Sequence, residues 1–229
     1  MFNIAFCRPG GSFSNRWVES WTDLMFYCAD KGIGVIDRGA SFHNIHMVRD
    51  MCLDVQMGSK DAKPFNGKLD YTHIMWIDSD QVWRNRHFQM LLDADEDIVC
   101  GWYRINGLGD KGICAGWYDE KSLIEKNGMP LLSDTLLKEA PRNEKGLIDL
   151  GAVAPQYGFP WTGFGFVLIK RGVFESIPYP WFYDDNIRLG NLISNRGDDI
   201  SFFKKAHEAG HKVYLHPDCR VGHEKTWVF

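Results

Sequence analysis

A short apolar run that ends in two aspartates constrains the fold of this chain more than any other stretch. The run, residues 74–77, lies inside the segment YTHIMWIDSDQVW (71–83). It is too short for a buried helix and rich in strand formers, so it predicts a strand buried on both faces, as in the middle of a parallel sheet. Asp78 and Asp80 follow it, with only Ser79 between them.

Two carboxylates at the end of a buried strand have two explanations. Ligands bind at the carboxyl ends of strands in open α/β sheets, and a divalent cation would offset the like charges there. A turn followed by a helix cap would explain the same residues equally well, because D-x-D is a common pattern. The remainder of the chain has to distinguish these two interpretations.

The first hundred residues alternate between strand and helix patterns. Helical spacing of apolar residues predicts helices at 14–31, 44–57 and 87–93, with Ser14 as the cap of the first. Short apolar runs predict strands at 3–7, 34–37 and 98–103. This β-α-β succession is typical of a parallel sheet with crossover helices.

The second half of the chain is less regular. Residues 104–159 are rich in Gly, Asp and Lys and predict an irregular insert over the cleft. After it the sequence predicts a strand at 163–170, an aromatic loop at 178–182, a helix at 197–209 and a strand at 212–216. We therefore expect a single α/β domain over residues 1–229.

Composition excludes some classes of protein. A chain of 229 residues fits a single domain, and a net charge of −4 argues against a nucleic-acid-binding surface. No stretch approaches the roughly 20 apolar residues that cross a bilayer, and the first residues do not resemble a signal peptide. The six cysteines form no C-x-x-C pair, which predicts free thiols in a reducing compartment. We expect a soluble, cytoplasmic protein.

Four stretches in order resemble the glycosyltransferases of the A fold, most closely glycosyltransferase family 2 and its relatives. They are HIMWIDSDQVW (73–83), LLDADEDIVCGWYR (91–104), PWTGFGFVLIKRGVFESIPYPWF (160–182) and GDDISFFKKAHEAGHKVYLHPDCRVGHEK (197–225). Each motif alone is weak, whereas their order is informative. The resemblance implies a single-domain glycosyltransferase-A fold with a Rossmann-like, mostly parallel sheet flanked by helices.

The resemblance also implies a metal site. Relatives bind a divalent metal, and through it the diphosphate of a sugar nucleotide, with the D-x-D motif. Here Asp80 would be the direct ligand and Asp78 would lie nearer the ribose or sugar, while His223 would complete the metal shell. Such a mixed set of oxygen and nitrogen ligands suits Mn²⁺ and tolerates Mg²⁺. A surface histidine in a tail is the alternative for His223.

Asp198 and Asp199 match the acidic pair that is usually Glu-Asp in relatives. The resemblance implies that Asp199 is the base that deprotonates the acceptor hydroxyl, while Asp198 positions the acceptor or shares the role. The shorter Asp-Asp pair here reaches less far. Capping of the helix N-terminus explains at least one of these carboxylates without any catalytic role.

Further residues match positions that bind the donor in relatives. The resemblance implies that Arg8 and Pro9 hold the base and ribose, and that Asp37 accepts from a uracil N–H. Arg49 would face the diphosphate or the D-x-D motif. Ser79 and Lys225 complete the expected nucleotide-sugar contacts. A solvated helix arginine and a tail lysine are the alternatives for Arg49 and Lys225.

A last group matches the sugar and acceptor side. Trp161, Thr162 and Gly163 correspond to the segment under the donor sugar, where a glycine allows close backbone approach. Trp102 and Trp181, together with Tyr103 and Phe182, could stack on an acceptor sugar. Core packing is the alternative for these aromatic residues, and we expect it for at least half of them.

The sequence therefore favours a metal-dependent glycosyltransferase. It would move a sugar from a UDP- or GDP-sugar to a hydroxyl of a glycan or other acceptor, with inversion at the sugar carbon. A retaining transferase of the same fold is an alternative. A sugar-nucleotide nucleotidyltransferase is a weaker one, because residues 8–11 make a poor phosphate loop. An inactive sugar-binding relative is a third.

Overall fold

A computed structural model describes residues 1–55, 61–105, 112–126, 128–189 and 192–225. The strands in these ranges are β1 (Asn3–Pro9), β2 (Gly34–Ala40), β3 (His73–Ile77), β4 (Gln81–Val82), β5 (Ile98–Trp102), β6 (Ala115–Tyr118), β7 (Ile148–Asp149), β8 (Phe159–Thr162), β9 (Phe166–Lys170), β10 (Asp185–Leu189), β11 (Leu192–Arg196), β12 (Tyr214–Arg220) and β13 (Gly222–His223). The α-helices are α1 (Asn15–Asp30), α2 (Ile45–Cys52), α3 (Asn85–Ala94), α4 (Glu120–Lys126), α5 (Asp134–Glu139), α6 (Leu150–Val153), α7 (Val173–Ser176) and α8 (Asp198–Glu208). A 3-10 helix occupies Pro64–Gly67.

Seven strands form the central sheet, in the order β2-β1-β3-β9-β5-β12-β7. β1 pairs in parallel with β2 and β3, and β5 pairs in parallel with β12. β9 runs antiparallel between β3 and β5, and β7 is antiparallel to β12 at one edge. The prediction of an α/β architecture with a mostly parallel sheet is therefore confirmed.

The local causes of the first elements are visible in the structure. All five residues of β3 are buried, as expected for an apolar run inside a sheet. The Ser14 side chain caps α1 by accepting a hydrogen bond from the backbone N–H of Trp17. Trp17, Leu24 and Cys28 lie on the buried face of this helix, one or two turns apart. The sequence predicted all three features.

Several predicted boundaries differ from the observed ones. β1 continues to Pro9 and β2 to Ala40, because the two strands stay paired over this length. α2 ends at Cys52 rather than residue 57, since Asp54 adopts a positive φ of 52°. Residues 56 and 57 lie outside the described ranges.

The strand predicted at 163–170 starts later than expected, because residues 163–165 form a turn. β8 ends at Thr162, and β9 begins at Phe166. A side chain at Gly163 or Gly165 would collide with the Tyr103 hydroxyl, so both glycines bring the backbone against this ring. The turn sends β9 back between β3 and β5.

Residues 104–159 contain more regular structure than the sequence predicted. β6 pairs antiparallel with β8, and β7 joins the central sheet. A second feature absent from the sequence prediction is the hairpin of β10 and β11, which directly precedes α8. These pairings join segments whose partners are distant in sequence or lack a strong apolar pattern, so local composition gives little sign of them.

Two other expectations can be compared with the structure. All six cysteines are buried and free, as predicted for core thiols. Among the helices in the described ranges, none combines the length and the apolar character that a membrane crossing requires.

Side-chain bonds also link loops at the end of the strands opposite the D-x-D turn. His211, after α8, contacts the Ser176 hydroxyl through Nε2 at 2.7 Å and the Asp97 carboxylate through Nδ1 at 3.0 Å. The Ser176 hydroxyl also donates to the Val173 carbonyl at 2.8 Å. This chain of bonds links α7, the residues that follow α8 and the residue that precedes β5.

A substitution at Gly10 tests how tightly the β1 loop packs on the D-x-D turn. Gly10 has a φ of 145°, and an added Cβ would lie 2.5 Å from the Ser79 Cβ. We expect Gly10→Ala to lower the free energy of unfolding by about 3 kcal/mol, because backbone strain and a collision add together. Urea unfolding measures this change.

Gly32→Ala is the matched control. Gly32 also has a positive φ, 65°, but an added Cβ there would meet no described atom within 4 Å. Strain alone should cost about 1 kcal/mol at this position. Equal losses in the two variants would show that Gly10 does not pack against Ser79.

Candidate functional site

The D-x-D turn follows β3 and is fixed by backbone contacts on both sides. The Asp78 N–H donates to the Gly165 carbonyl at 3.1 Å, and the Asp78 carbonyl accepts from the Trp17 indole at 3.1 Å. The Asp78 carbonyl also accepts from the Gln81 N–H, which closes the turn. The carboxylates of Asp78 and Asp80 therefore start from a rigid backbone.

A buried arginine joins the D-x-D motif to the acidic pair of α8. Arg49 is only 4% exposed, and its Nε donates to Asp198 Oδ2 at 2.6 Å. Its Nη1 donates to Asp78 Oδ1 at 3.2 Å. The guanidinium also lies over the Phe164 ring, 4.9 Å from the centroid. Three elements that are far apart in sequence, α2, β3 and α8, thus meet at one cation.

This cation sets the charge balance of the inner carboxylates. Burial raises the pKa of Asp78, and the Arg49 charge opposes that shift. Burial alone would lower the pKa of Arg49, but Asp78 and Asp198 together hold that pKa above its usual value. The predicted position of Arg49 facing the D-x-D motif agrees with these contacts. Because both carboxylates bind it directly, its role in the structure is to hold them.

Asp80 faces two basic groups from the end of the described chain. His223 Nε2 lies 3.0 Å from Asp80 Oδ2, and Lys225 Nζ lies 2.8 Å from the same oxygen. Burial tends to raise the pKa of Asp80, but the hydrogen bonds from His223 and Lys225 outweigh burial and hold this pKa well below its ordinary value. The side chain of Asp80 is therefore an anion at neutral pH.

The orientation of the His223 ring is fixed. Nδ1 lies 2.7 Å from the Arg104 carbonyl, which can only accept, so Nδ1 carries a proton. The ring also packs against Tyr103, with 4.7 Å between centroids. Nε2 therefore points at the Asp80 carboxylate. If Nε2 carries no proton, it and Asp80 Oδ2 are two acceptors only 3.0 Å apart, and they repel each other unless a cation lies between them.

Strand pairing brings this histidine to the D-x-D turn. β13 pairs antiparallel with β4, so that His223 lies opposite Gln81. The Glu224 N–H donates to the Asp80 carbonyl at 2.7 Å, and the Glu224 carboxylate accepts from the Ser14 hydroxyl. The segment 222–225 is thus attached to the turn through both its backbone and its side chains.

The donor atoms fit a divalent cation, although they are few. Asp80 Oδ2 and His223 Nε2 supply one oxygen and one nitrogen, a combination that suits Mn²⁺ and tolerates Mg²⁺. Within the described residues, no group of three or more His, Cys, Asp or Glu side chains could hold a metal ion alone. Further ligands would have to come from outside the protein, as from a phosphate or water.

The acidic pair begins α8, directly after the N-cap Gly197. Asp198 is buried, and its carboxylate binds Arg49. Asp199 is partly exposed, and its Oδ1 accepts from the Ile200 N–H at 2.8 Å. Burial and the neighbouring Asp198 raise the pKa of Asp199 to about 7, against the opposing charge of Arg49. A carboxylate with this pKa can accept a proton near neutral pH.

The residues expected to bind the nucleotide lie at the ends of β1 and β2. Arg8 donates from Nε and Nη2 to the two oxygens of Asp37 at 2.6 and 2.7 Å. The Arg8 guanidinium lies 4.7 Å from the Trp21 ring centroid. Pro9 is buried beside Ala40, in the paired part of the strands. Arg8 and Asp37 therefore form one ion pair, whose carboxylate keeps further acceptor sites.

The residues expected on the sugar and acceptor side are largely buried. Thr162 is fully buried and donates to the Cys114 carbonyl at 3.1 Å, and Trp161 is 7% exposed. Trp102 donates from its indole to the Pro217 carbonyl at 2.7 Å. Gly163 packs on Tyr103, as described above. Trp161 and Trp102 are 7% and 6% exposed, so neither ring presents an open face for stacking on a sugar.

Trp181 is not brought to the site. It is fully buried and packs edge-on against Phe174, with 5.1 Å between centroids. Phe182 is buried in the same aromatic cluster, which surrounds Trp76 and Phe164. Core packing, the alternative interpretation at the sequence level, is the correct one for Trp181 and Phe182.

Sequence reasoning missed the groups that orient the site residues. The Arg104 carbonyl fixes the His223 ring, and a backbone acceptor has no residue signature. The Gln81 side chain donates to Asp80 Oδ1 at 3.2 Å, while Glu224 attaches the end of the described chain to α1. The adjacency of Gln81 to the D-x-D motif, and of Glu224 to His223, was the available clue.

Comparison with known proteins gives limited information. No family model matches the sequence, and no curated protein matches it significantly. Among solved structures, the chain is similar to A197 from STIV, with 18% identity, a TM-score of 0.48, and coverage of 100% of this chain and 97% of that chain.

A second similar structure is that of GalNAc-T7 with UDP, GalNAc and Mn²⁺. It has 13% identity and a TM-score of 0.48, with coverage of 97% of this chain. The match spans 44% of the GalNAc-T7 chain, so less than half of that protein is represented. At TM-scores below 0.5, neither likeness establishes a shared fold or activity.

Removing the Arg49 guanidinium tests its role as the buried counter-ion. We expect Arg49→Met to lower the free energy of unfolding by about 3–5 kcal/mol, because it leaves the carboxylates of Asp78 and Asp198 without a cation. Arg49→Lys keeps the charge but loses the fork of donors, so we expect a smaller loss. Chemical denaturation measures both.

Arg171→Met is the surface control. Arg171 Nη1 contacts Asp70 Oδ1 at 2.6 Å, but the two side chains are 50% and 96% exposed. Such pairs contribute little, so the loss should stay below about 1 kcal/mol. If Arg49→Met were no more destabilising than this control, the contacts of Arg49 with Asp78 and Asp198 would not stabilise the fold as we expect.

Proposed function

We propose that this protein is a metal-dependent glycosyltransferase of the A fold, which transfers a sugar from a nucleoside-diphosphate sugar to a hydroxyl. One observation carries the proposal. At the end of β3, Asp80 Oδ2 and His223 Nε2 lie 3.0 Å apart on rigid supports, a separation at which both atoms could bind one cation. The sequence resemblance to family 2 adds the same D-x-D motif and late histidine.

The cation would be held by Asp80 and His223, with the donor diphosphate completing its shell. A divalent ion there would neutralise the charge that develops on the leaving diphosphate. Asp78 lies next to this position but is paired with Arg49, so it would contact the ribose or sugar through its second oxygen. This set of one oxygen and one nitrogen suits Mn²⁺ and tolerates Mg²⁺.

The nucleotide would lie along the carboxyl ends of β1, β2 and β3, where ligands bind in α/β sheets. Arg8, Pro9 and Asp37 would hold the base and ribose, and Ser79 the sugar or phosphate side. The Arg8–Asp37 pair leaves carboxylate lone pairs free to accept a base N–H. Residues 1–103 would thus form the nucleotide-binding half, and 104–229 the acceptor-binding half.

Asp199 would act as the base. It would take the proton of the acceptor hydroxyl while the hydroxyl oxygen attacks the anomeric carbon, and the bond from that carbon to the diphosphate oxygen would break. The electron pair of that bond would leave with the nucleoside diphosphate. Attack from the face opposite the leaving group inverts the anomeric configuration. A pKa of about 7 suits this role, because the base is available at neutral pH.

A thermal-shift screen of nucleotide sugars, with and without Mn²⁺, tests the proposal and identifies the donor. A ligand that binds only the folded state raises the melting temperature according to its occupancy. We expect one UDP- or GDP-sugar to stabilise the protein only when Mn²⁺ is present. The next experiment measures transfer of that sugar to a candidate glycan and determines the anomeric configuration of the product. The absence of stabilisation by any nucleotide sugar would contradict the proposal.

The pH dependence of transfer tests the role of Asp199. Because its raised pKa keeps the carboxyl protonated below about pH 7, kcat/KM should rise with pH through about 7 and then level off. Asp199→Asn should lower kcat/KM by about 10²- to 10⁴-fold and remove this dependence. Rates measured between about pH 5.5 and 8.5 show both effects.

Glu120→Gln is the control for this experiment. Glu120 is an exposed carboxylate in the first turn of α4, so it resembles Asp199 in helix position only. We expect this variant to keep the rate and pH profile of the unaltered protein. Retention of configuration in the product, or an active Asp199→Asn variant, would remove the base role from Asp199.

A further inference from the structure

Two basic groups share one oxygen of Asp80, yet they differ in freedom. His223 is only 11% exposed, is held by the Arg104 carbonyl and packs against Tyr103. Lys225 is 46% exposed and lies beyond the last strand, at the end of a flexible side chain. The imidazole is therefore a fixed neighbour of Asp80, while the ammonium can move away.

The ammonium and a divalent cation would compete for the same place. A metal ligated by Asp80 and His223 lies about 2.0–2.6 Å from its ligand atoms. Lys225 Nζ already lies 2.8 Å from the Asp80 oxygen that such an ion would use. Two positive charges this close repel strongly in a partly buried site. Binding of the metal therefore requires the ammonium to leave.

The displaced ammonium needs another anion. Lysine binds phosphate as a mobile point charge, and a donor diphosphate bound to the same metal would lie within this region. Every charge keeps a partner in this exchange. The Asp80 carboxylate would pair with the metal in place of Lys225, and the Lys225 ammonium would pair with a phosphate in place of Asp80. Neither step requires the β13 strand or the His223 ring to move.

We propose that Lys225 is an exchangeable counter-ion of Asp80, which occupies the cation position until metal binds and then turns to the donor diphosphate. The inference rests on the proposed function. Lys225 weakens binding of the metal alone and strengthens binding of the nucleotide to the metal-loaded protein. Metal and donor binding are thereby coupled through one side chain.

The test measures two affinities in Lys225→Gln and in the unaltered protein. Binding of Mn²⁺ alone is followed by the electron paramagnetic resonance of free Mn²⁺. Binding of UDP, and separately of GDP, to Mn²⁺-saturated protein is followed by calorimetry. We expect Lys225→Gln to bind Mn²⁺ about three- to tenfold more tightly without nucleotide. We expect it to bind the better of the two nucleotides several-fold more weakly than the unaltered protein does.

The opposite signs of these two changes are the signature of exchange. A lysine that only contacts phosphate would weaken nucleotide binding and leave Mn²⁺ affinity unchanged, which would overturn the proposal. A lysine that only stabilises the segment 222–225 would weaken both, and this result would overturn it too. Lys212→Gln is the matched control, because Lys212 Nζ contacts Asp149 Oδ2 at 3.0 Å on the opposite edge of the sheet. It should change neither affinity.

Asp80→Asn separates this inference from the proposed function. If the unaltered protein binds Mn²⁺ and Asp80→Asn does not, the metal site stands, and the Lys225→Gln result alone decides the exchange. If the unaltered protein binds no Mn²⁺ even with UDP or GDP present, the proposed function fails and the exchange fails with it.

Discussion

The structure depends on one buried cation, the Arg49 guanidinium, which holds the end of β3 and the start of α8 together. It binds Asp78 and Asp198 directly, and its charge opposes the burial that raises the pKa of Asp78. Asp80 and Asp199 are the outer members of the two pairs: Asp80 contacts His223 and Lys225, and Asp199 accepts from the Ile200 N–H. The arginine thus separates an inner pair, Asp78 and Asp198, which it binds, from an outer pair, Asp80 and Asp199.

The pKa values of the outer pair, Asp80 and Asp199, are shifted in opposite directions. Basic groups from the end of the described chain lower the pKa of Asp80, whereas burial and Asp198 raise the pKa of Asp199 to about 7. Environments that push the pKa values of two carboxylates apart are the usual means of assigning them different roles. One carboxylate suits a cation, and the other suits a proton. This contrast agrees with the roles proposed for the two carboxylates, while the Asp80–His223 geometry carries the proposal.

Local patterns in the sequence predicted much of the fold and part of the site. The apolar run of β3 and the Ser14 cap of α1 depend on neighbouring residues only, so they could be recognised directly. The antiparallel insertion of β9 and the burial of Trp181 depend on contacts far away in sequence, which composition does not encode. The same limit applies to the orientation of His223, because a backbone carbonyl sets it. Residue types indicated which chemistry the candidate site could carry, and tertiary packing determined which side-chain atoms face that site.

The central claim is that Asp80 and His223 bind one divalent cation together with the donor diphosphate. Electron spin-echo modulation of protein-bound Mn²⁺, recorded in the presence of a nucleoside diphosphate, tests it most directly. The claim predicts nitrogen modulation from one imidazole, and this modulation should disappear in His223→Asn. Bound Mn²⁺ without nitrogen modulation, or modulation that persists in His223→Asn, would contradict it.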